Sequence, residues 1–175
     1  MNPICSFDGD FRFLSNFFIL PEPISTGGIE YMTTENAFQA AKTLDRSEQI
    51  EISIMTPGQS KKKGRDVSLR SDWLNIRVAV MVKLLRMKFE IPALKKLLLE
   101  TDSAILIEGN NWHDNFWGFH LAENQTMSAA TGSNIELLCT PDSPYNHLGR
   151  ALMLVREEIL INNALFAKSA LEMSA

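Results

Sequence analysis

The sequence predicts a mainly helical α+β fold with a small β component. Apolar residues recur at three- and four-residue spacing in Trp73, Ile76, Val80, Leu84 and Met87, and again in Leu148, Leu152, Val155 and Ile159. Helix start and stop signals bracket several shorter segments. Residues 7–33 instead mix aromatic and apolar side chains with turn formers (Asp8-Gly9-Asp10, Pro21, Pro23, Gly27-Gly28), which suits short strands and loops.

The elements follow in order. Thr33 and Thr34 offer an N-cap for a helix over 35–44, with Glu35 in the favourable first turn. A second helix is expected over 47–55. Thr56-Pro57 reads as the cap and first position of a third, which Gly64 should end. Ser71-Asp72 opens the helix that carries the Trp73 stripe, and Pro92 starts a short one that closes near Glu100. Residues 104–108 form a brief apolar run, expected as a buried strand, and residues 109–118 are expected as a loop. Asn146 is placed as the cap of a last helix over 148–161, and residues 163–175 are expected to fray.

At 175 residues, the chain fits one domain with a sizeable core. Its 45% hydrophobic and 22% charged residues are those of a globular protein. A formal net charge of −4 argues against broad charge-driven binding to nucleic acid, but leaves room for a small pocket taking one phosphorylated ligand. Cys5 and Cys139 suggest neither a disulfide framework nor a CxxC metal site. The first residues lack the charged and apolar regions of a leader, and no apolar stretch approaches the roughly 20 residues that span a bilayer. The expectation is a cytoplasmic setting, with no membrane and no obligate protein partner.

Three segments carry more polar and aromatic chemistry than packing requires. The first, from Phe11 and Arg12 through Asn16 and Phe17, reads most simply as an aromatic core strand ending in a turn. The second holds Glu35, Gln39 and Lys42, which fall on one face of a helix beside Phe38. A solvated polar face is the plain alternative, yet Ala37, Ala40 and Ala41 would let that face look into a pocket. The third, over 108–118, packs Trp112, His113, Asp114, three amides and Trp117 into one loop. Its aromatic faces suit a stacked base, and its carboxylate and amides suit ribose hydroxyls. Lys61-Lys62-Lys63-Gly64-Arg65 could hold a phosphate or simply be a solvated helix face. His113, His120 and His147 lack the spacing of zinc enzymes, so no metal and no cofactor is expected.

Together these segments resemble the NADAR (YbiA-like) family. The matching pieces occur in the family's order: Phe13-Leu14-Ser15-Asn16-Phe17, Glu35-Asn36-Ala37-Phe38-Gln39-Ala40-Ala41-Lys42, Gly64-Arg65-Asp66, Trp73, Lys88-Phe89, Leu97-Leu98-Leu99-Glu100-Thr101, Asp114 with Trp117-Gly118, and Asn146-His147-Leu148-Gly149 with Leu152-Met153 and Arg156-Glu157. They span about residues 7–160. The resemblance implies a YbiA-like fold and hydrolysis of N-glycosides. The implied substrates are ribosylamino-pyrimidine phosphates of early riboflavin synthesis, or ADP-ribose attached to guanine, free or within nucleic acid. By motif position, Glu35, Trp73 and Asp114 correspond to active-site residues of the family, and Lys42 to a lysine proposed as a nucleophile. Arg12, Asn16, Phe17, Gln39, Arg65, Trp117, Gly118 and Asn146 complete the expected substrate site. The chain departs from the family between Gly118 and Asn146, where residues 119–145 replace a short glycine-rich turn.

N-glycoside cleavage must stabilise positive charge at the anomeric carbon and protonate a poor nitrogen leaving group. The favoured scheme has Lys42 as nucleophile, Glu35 moving protons and Asp114 holding ribose hydroxyls. A two-carboxylate route through Glu35 and Asp114 is the alternative. Two other classes remain at this point: a silent module binding ADP-ribose or NAD, told apart by binding without turnover, and an interaction protein, which would bind no ribosylated nucleotide.

Overall fold

The structure is a computed structural model and describes residues 2–120, 135–140 and 142–172. It is helix-rich with two small sheets, as the sequence predicts. The chain divides into two compact units, Phe7–Lys95 and the residues before and after it.

In the unit Phe7–Lys95, the aromatic segment expected as a strand is a 3-10 helix, Gly9–Leu14, which buries Phe13 and Leu14. A hairpin follows, pairing β1 (Ile24–Thr26) antiparallel with β2 (Ile29–Tyr31) in the register Thr26↔Ile29. Its two linking residues are Gly27 (φ 60°) and Gly28 (φ 72°), and the type I′ turn needs that left-handed conformation at both positions.

Helix α1 spans Thr34–Ala40, with the Thr33 hydroxyl accepting from the Asn36 backbone N–H at 3.0 Å. All seven of its residues are buried. It stops short of the expected end at 44. The N–H groups of Lys42 and Thr43 reach the carbonyls of Gln39 and Ala40, three residues back, at 3.2 and 3.3 Å, a tightened final turn. Thr43 then leaves the helix to pair with Leu69. Asp45 caps α2 (Arg46–Ser53) by accepting from the N–H of Ser47 and Glu48. Helix α3 (Pro57–Lys63) has the predicted start and stop, with a reciprocal Thr56–Gln59 capping box and Gly64 at its C-cap. The Asn36 amide donates to the carbonyls of Ile52 and Met55, both at 2.7 Å, tying α1 to the end of α2.

Helix α4 spans Trp73–Glu90, and its buried face differs from the expected stripe. Trp73, Met81, Leu84, Leu85, Lys88 and Phe89 are buried, whereas Ile76, Val80 and Met87 are only half-buried. The apolar residues of this helix cover more than one face, so periodicity alone did not select the inward one. Asp72 precedes the helix but gives its carboxylate to Arg70 rather than to a cap. Helix α5 (Pro92–Glu100) matches its expected span.

In the other unit, residues 104–108 run extended with a single bridge, Ile4↔Leu106, and do not form the expected strand. The segment expected as loop begins instead with β3 (Gly109–Asn110), paired parallel with β4 (Phe119–His120). The inserted segment 119–145 contributes β4 and a 3-10 helix, Ile135–Cys139, and its residues 121–134 and 141 lie outside the described residues. Helix α6 spans His147–Glu172 and buries Leu148, Ala151, Leu152 and Val155. It runs on through 163–172, past the point where fraying was expected. No helix of the described residues is long and apolar enough to cross a membrane.

Candidate functional site

Two groups of expected site residues form, one in each unit. The first is built on α1. Glu35 and Gln39 lie one turn apart, 6% and 5% exposed, and the Gln39 amide donates to Glu35 Oε1 at 2.8 Å. The Glu35 backbone N–H, left without an intrahelical acceptor by its first-turn position, donates to the Asn16 carbonyl at 3.0 Å. Lys42 lies just beyond the helix, and its Nζ donates to the Gly64 carbonyl at 2.9 Å.

Gly64, the C-cap of α3, packs tightly against Gln39 of α1. A Cβ there would overlap Gln39 Oε1 and lie 2.7 Å from its Cδ, so a larger residue would push the Gln39 amide aside. Burial holds the Lys42 amine below the ordinary lysine range. The Glu35 charge opposes that shift, while the positive charges of Arg65 and Lys61 reinforce it. A carboxylate, a lowered amine and two further cations therefore share one electrostatic neighbourhood. Lys61 lies 5.7 Å over the Phe17 ring, and Arg65 is exposed.

Asn16 is also buried, 8% exposed. Its Nδ2 faces Met81 Sδ at 3.6 Å, while its Oδ1 has no hydrogen-bond partner among the described residues. Trp73 is packed into the core, 6% exposed, with its ring 5.0 Å from Phe38 of α1. Its contact with Phe38 anchors α1 against α4. Arg12 sits exposed on the first 3-10 helix.

The second group is built on the loop between β3 and β4. Asp114 Oδ1 accepts from the backbone N–H of Phe116 at 3.1 Å and of Trp117 at 2.9 Å. The Asn110 side chain grips the Asp114 backbone on both sides, accepting from its N–H at 3.0 Å and donating to its carbonyl at 2.7 Å. The turn presents half-buried Phe116 and Trp117, with the Phe116 ring stacked on His147 at 4.1 Å. Gly118 is required because a Cβ would collide with the Glu108 carbonyl. Asn146 stands at the expected cap position, its carbonyl accepting the Arg150 N–H at 3.0 Å, but its side chain serves elsewhere. At φ 55° its side chain accepts from the Glu108 N–H and donates to the Leu106 carbonyl, both at 3.0 Å, joining the extended segment to the start of α6. Its N–H reaches the Gly118 carbonyl at 3.0 Å.

Glu35, Gln39, Lys42 and Arg65 thus come together in one unit, with Asn16 against the Glu35 backbone and Phe17 beside Lys61. Asp114, Trp117, Gly118 and Asn146 come together in the other. Among the described residues no three His, Cys, Asp or Glu side chains gather to hold a metal. The His113 and His120 rings lie 4.0 Å apart, without a third ligand. Site reasoning from sequence missed the steric role of Gly64 and the burial of Lys88. The second had a visible signal, because Lys88 follows Met81 by seven positions and Leu84 by four, the spacing of the buried face.

Comparison with known proteins agrees with this architecture. The NADAR domain family matches residues 7–160. A protein of Shigella flexneri serotype 5b (strain 8401) named N-glycosidase YbiA is 36% identical over 157 residues, 87% of this chain and 82% of that protein. The chloroplastic riboflavin biosynthesis protein PYRR of Arabidopsis thaliana is 31% identical over 112 residues, 63% of this chain but 15% of that longer protein. The NMR structure of the E. coli protein YbiA superposes with a TM-score of 0.68 at 32% identity, covering 94% of this chain and 86% of that one. Alike in sequence from Phe7 to Leu160 and alike in fold, the chain belongs to the NADAR domain family and is an N-glycosidase.

Proposed function

We propose that the substrate is a ribosylated, phosphate-bearing nucleotide, and that Lys42 and Glu35 cleave its N-glycosidic bond. The observation that carries this reading is the Lys42 amine. Burial favours its neutral, nucleophilic form, and the Gly64 carbonyl fixes its direction beside the Glu35 charge. An ordinary lysine is nearly all ammonium at neutral pH, so a nucleophilic role needs a shift of this sign. The neutral amine attacks C1 of the ribose as the bond from C1 to the base nitrogen breaks, and the Glu35 carboxylate takes a proton from the alkylated amine and passes it to the leaving nitrogen. Ring opening yields a Schiff base on Lys42, which water hydrolyses to free ribose phosphate or ADP-ribose and the amine. Arg65 and Lys61 supply positive charge for the phosphate.

Asp114 holds ribose hydroxyls in this scheme, and Trp117 offers a face for the base. Trp73 keeps Phe38, and with it α1, in place. The kinship with a riboflavin biosynthesis protein supports a ribosylamino-pyrimidine phosphate, and ADP-ribosyl-guanine is the other substrate of matching chemistry. The test is to incubate the protein with each and follow the released base by mass spectrometry. Release from either supports the reading. Tight binding of ADP-ribose or NAD without release from any N-glycoside would make the protein a binding module instead.

A further inference from the structure

Lys88 is a lysine with no exposed surface, set in α4 between Leu85 and Phe89. Burying an ammonium is costly, and an apolar residue of similar length would avoid that cost. Its Nζ donates to the Ser15 carbonyl at 2.9 Å and lies 5.3 Å from the Phe89 ring and 5.9 Å from the Phe18 ring. Ser15 and Asn16 form the turn that closes the first 3-10 helix, where the Ser15 carbonyl also receives the Phe18 N–H at 3.2 Å, so the bond from Lys88 is the one long-range bond on this carbonyl among the described residues. The carbonyl beside the pinned one, that of Asn16, receives the Glu35 N–H at 3.0 Å. Helix α1 is seven residues long, so its first turn depends on contacts from outside it, the Asn16 carbonyl among them beside the Thr33 cap and the Asn36 bonds to Ile52 and Met55. One path of two hydrogen bonds therefore runs from the Lys88 ammonium, across the Ser15-Asn16 peptides, to the backbone of Glu35.

We propose that Lys88 is a positioning residue for Glu35, pinning the Ser15 carbonyl so that the Asn16 carbonyl holds the first turn of α1 in register. This inference rests on the reading of Glu35 as the proton carrier. Lys88 touches no substrate and acts through Glu35. Loss of the pin lets the Glu35 carboxyl shift relative to the bond being cleaved, a displacement that affects kcat far more than KM.

The test uses Lys88→Met, which keeps length and volume without the donor, and Lys88→Gln, which keeps a shorter, neutral donor. Each is made alone and in a Glu35→Gln background. Melting temperature, kcat and KM are measured on whichever of the two substrates above releases a base. A displacement of the order of 1 Å costs up to about 100-fold, so kcat should fall roughly 10- to 100-fold in Lys88→Met and by less in Lys88→Gln. KM should stay within about threefold, and the loss should largely vanish in the Glu35→Gln background, because a residue acting through another loses its effect when that one is gone. Should Lys88→Met fail to fold, the same two criteria are read from Lys88→Gln. A kcat unchanged in the variant that folds, or an equal fractional loss with and without Glu35, would overturn the inference and leave Lys88 a structural residue. If Glu35→Gln alone is as active as the unmodified protein, it is the mechanism above that has failed. If that variant is slow and the Lys88 variants are fast, this inference alone has failed.

Discussion

The α1 cluster and the Asp114 loop are both rich in polar residues, but they use them differently. Around α1, a buried carboxylate and a half-buried amine share one electrostatic neighbourhood, and the Lys42 amine is displaced from its ordinary protonation range. In the Asp114 loop, the polar groups are spent on backbone. Asp114 Oδ1 and the Asn110 amide satisfy the turn, and the Asn146 amide satisfies residues 106 and 108. Perturbed protonation marks a place for chemistry, whereas satisfied backbone marks a place for shape. The difference teaches that density of polar residues in a sequence does not by itself locate chemistry.

The sharpest way to break this comparison is Glu35→Gln. The amide keeps the shape and can still meet Gln39, but it cannot carry a proton. Turnover should fall by about 10²- to 10⁴-fold with the melting temperature little changed. Activity within a few-fold of the unmodified protein would remove Glu35 from the chemistry and erase the contrast.

Next in size is Gly64→Ala. At φ −64° the backbone accepts alanine, so the whole effect is steric and falls on Gln39. Overpacking of this kind costs about 1–3 kcal/mol of stability, and the displaced amide should release Glu35 and lower turnover. An alanine variant with normal kcat and normal melting would show that the tight approach is idle.

The third prediction concerns pH. Because burial favours the neutral amine, the limb on which kcat/KM rises with pH should have its midpoint below 10.5. Arg65→Met removes a like charge and should move that midpoint up, and a midpoint that stays put would place Arg65 outside the cluster. The stability linkage has a definite sign. The unfolded chain binds the Lys42 proton more readily, so this group's cost is fully present below its folded pKa. Stability therefore gains as pH rises from that value towards 10.5.

The smallest effect is expected at Asp114. Asparagine can still accept from the N–H of Phe116 and Trp117, so Asp114→Asn should melt close to the unmodified protein. Asp114→Ala leaves both donors unmet and should lose about 1 kcal/mol, as the loss of a helix cap does. A carboxylate that grips ribose hydroxyls predicts a raised KM in both variants. A normal KM in Asp114→Asn would leave Asp114 as a loop former only.

Much of the fold was legible in the sequence because local signals set it. Thr56-Pro57 and Gly64 bound α3 as their capping chemistry requires, and Gly27-Gly28 marks the turn between two strands. Tertiary choices were not legible. The end of α1 depends on Thr43 pairing with Leu69, twenty-six residues away. The inward face of α4 depends on what packs against it, and the Asn146 side chain turns to a segment forty residues earlier while its carbonyl takes the Arg150 N–H of its own helix. For the site, helical spacing correctly grouped Glu35 with Gln39. Lys42 reaches the same neighbourhood for another reason. It lies beyond the helix end, and the Gly64 carbonyl holds it there. That carbonyl belongs to the C-cap of α3, which no reading of α1 alone could supply.

The measurement that tests the central claim most directly is trapping of the Lys42 Schiff base. Borohydride added during turnover should leave a reduced sugar adduct on Lys42, seen as a mass increase on the peptide that contains it and absent without substrate. Lys42→Arg keeps the charge but cannot act as that nucleophile, and should yield neither adduct nor product. Substantial turnover by Lys42→Arg, with no adduct trapped on the unmodified protein, would contradict the account and move the chemistry to the carboxylates of Glu35 and Asp114.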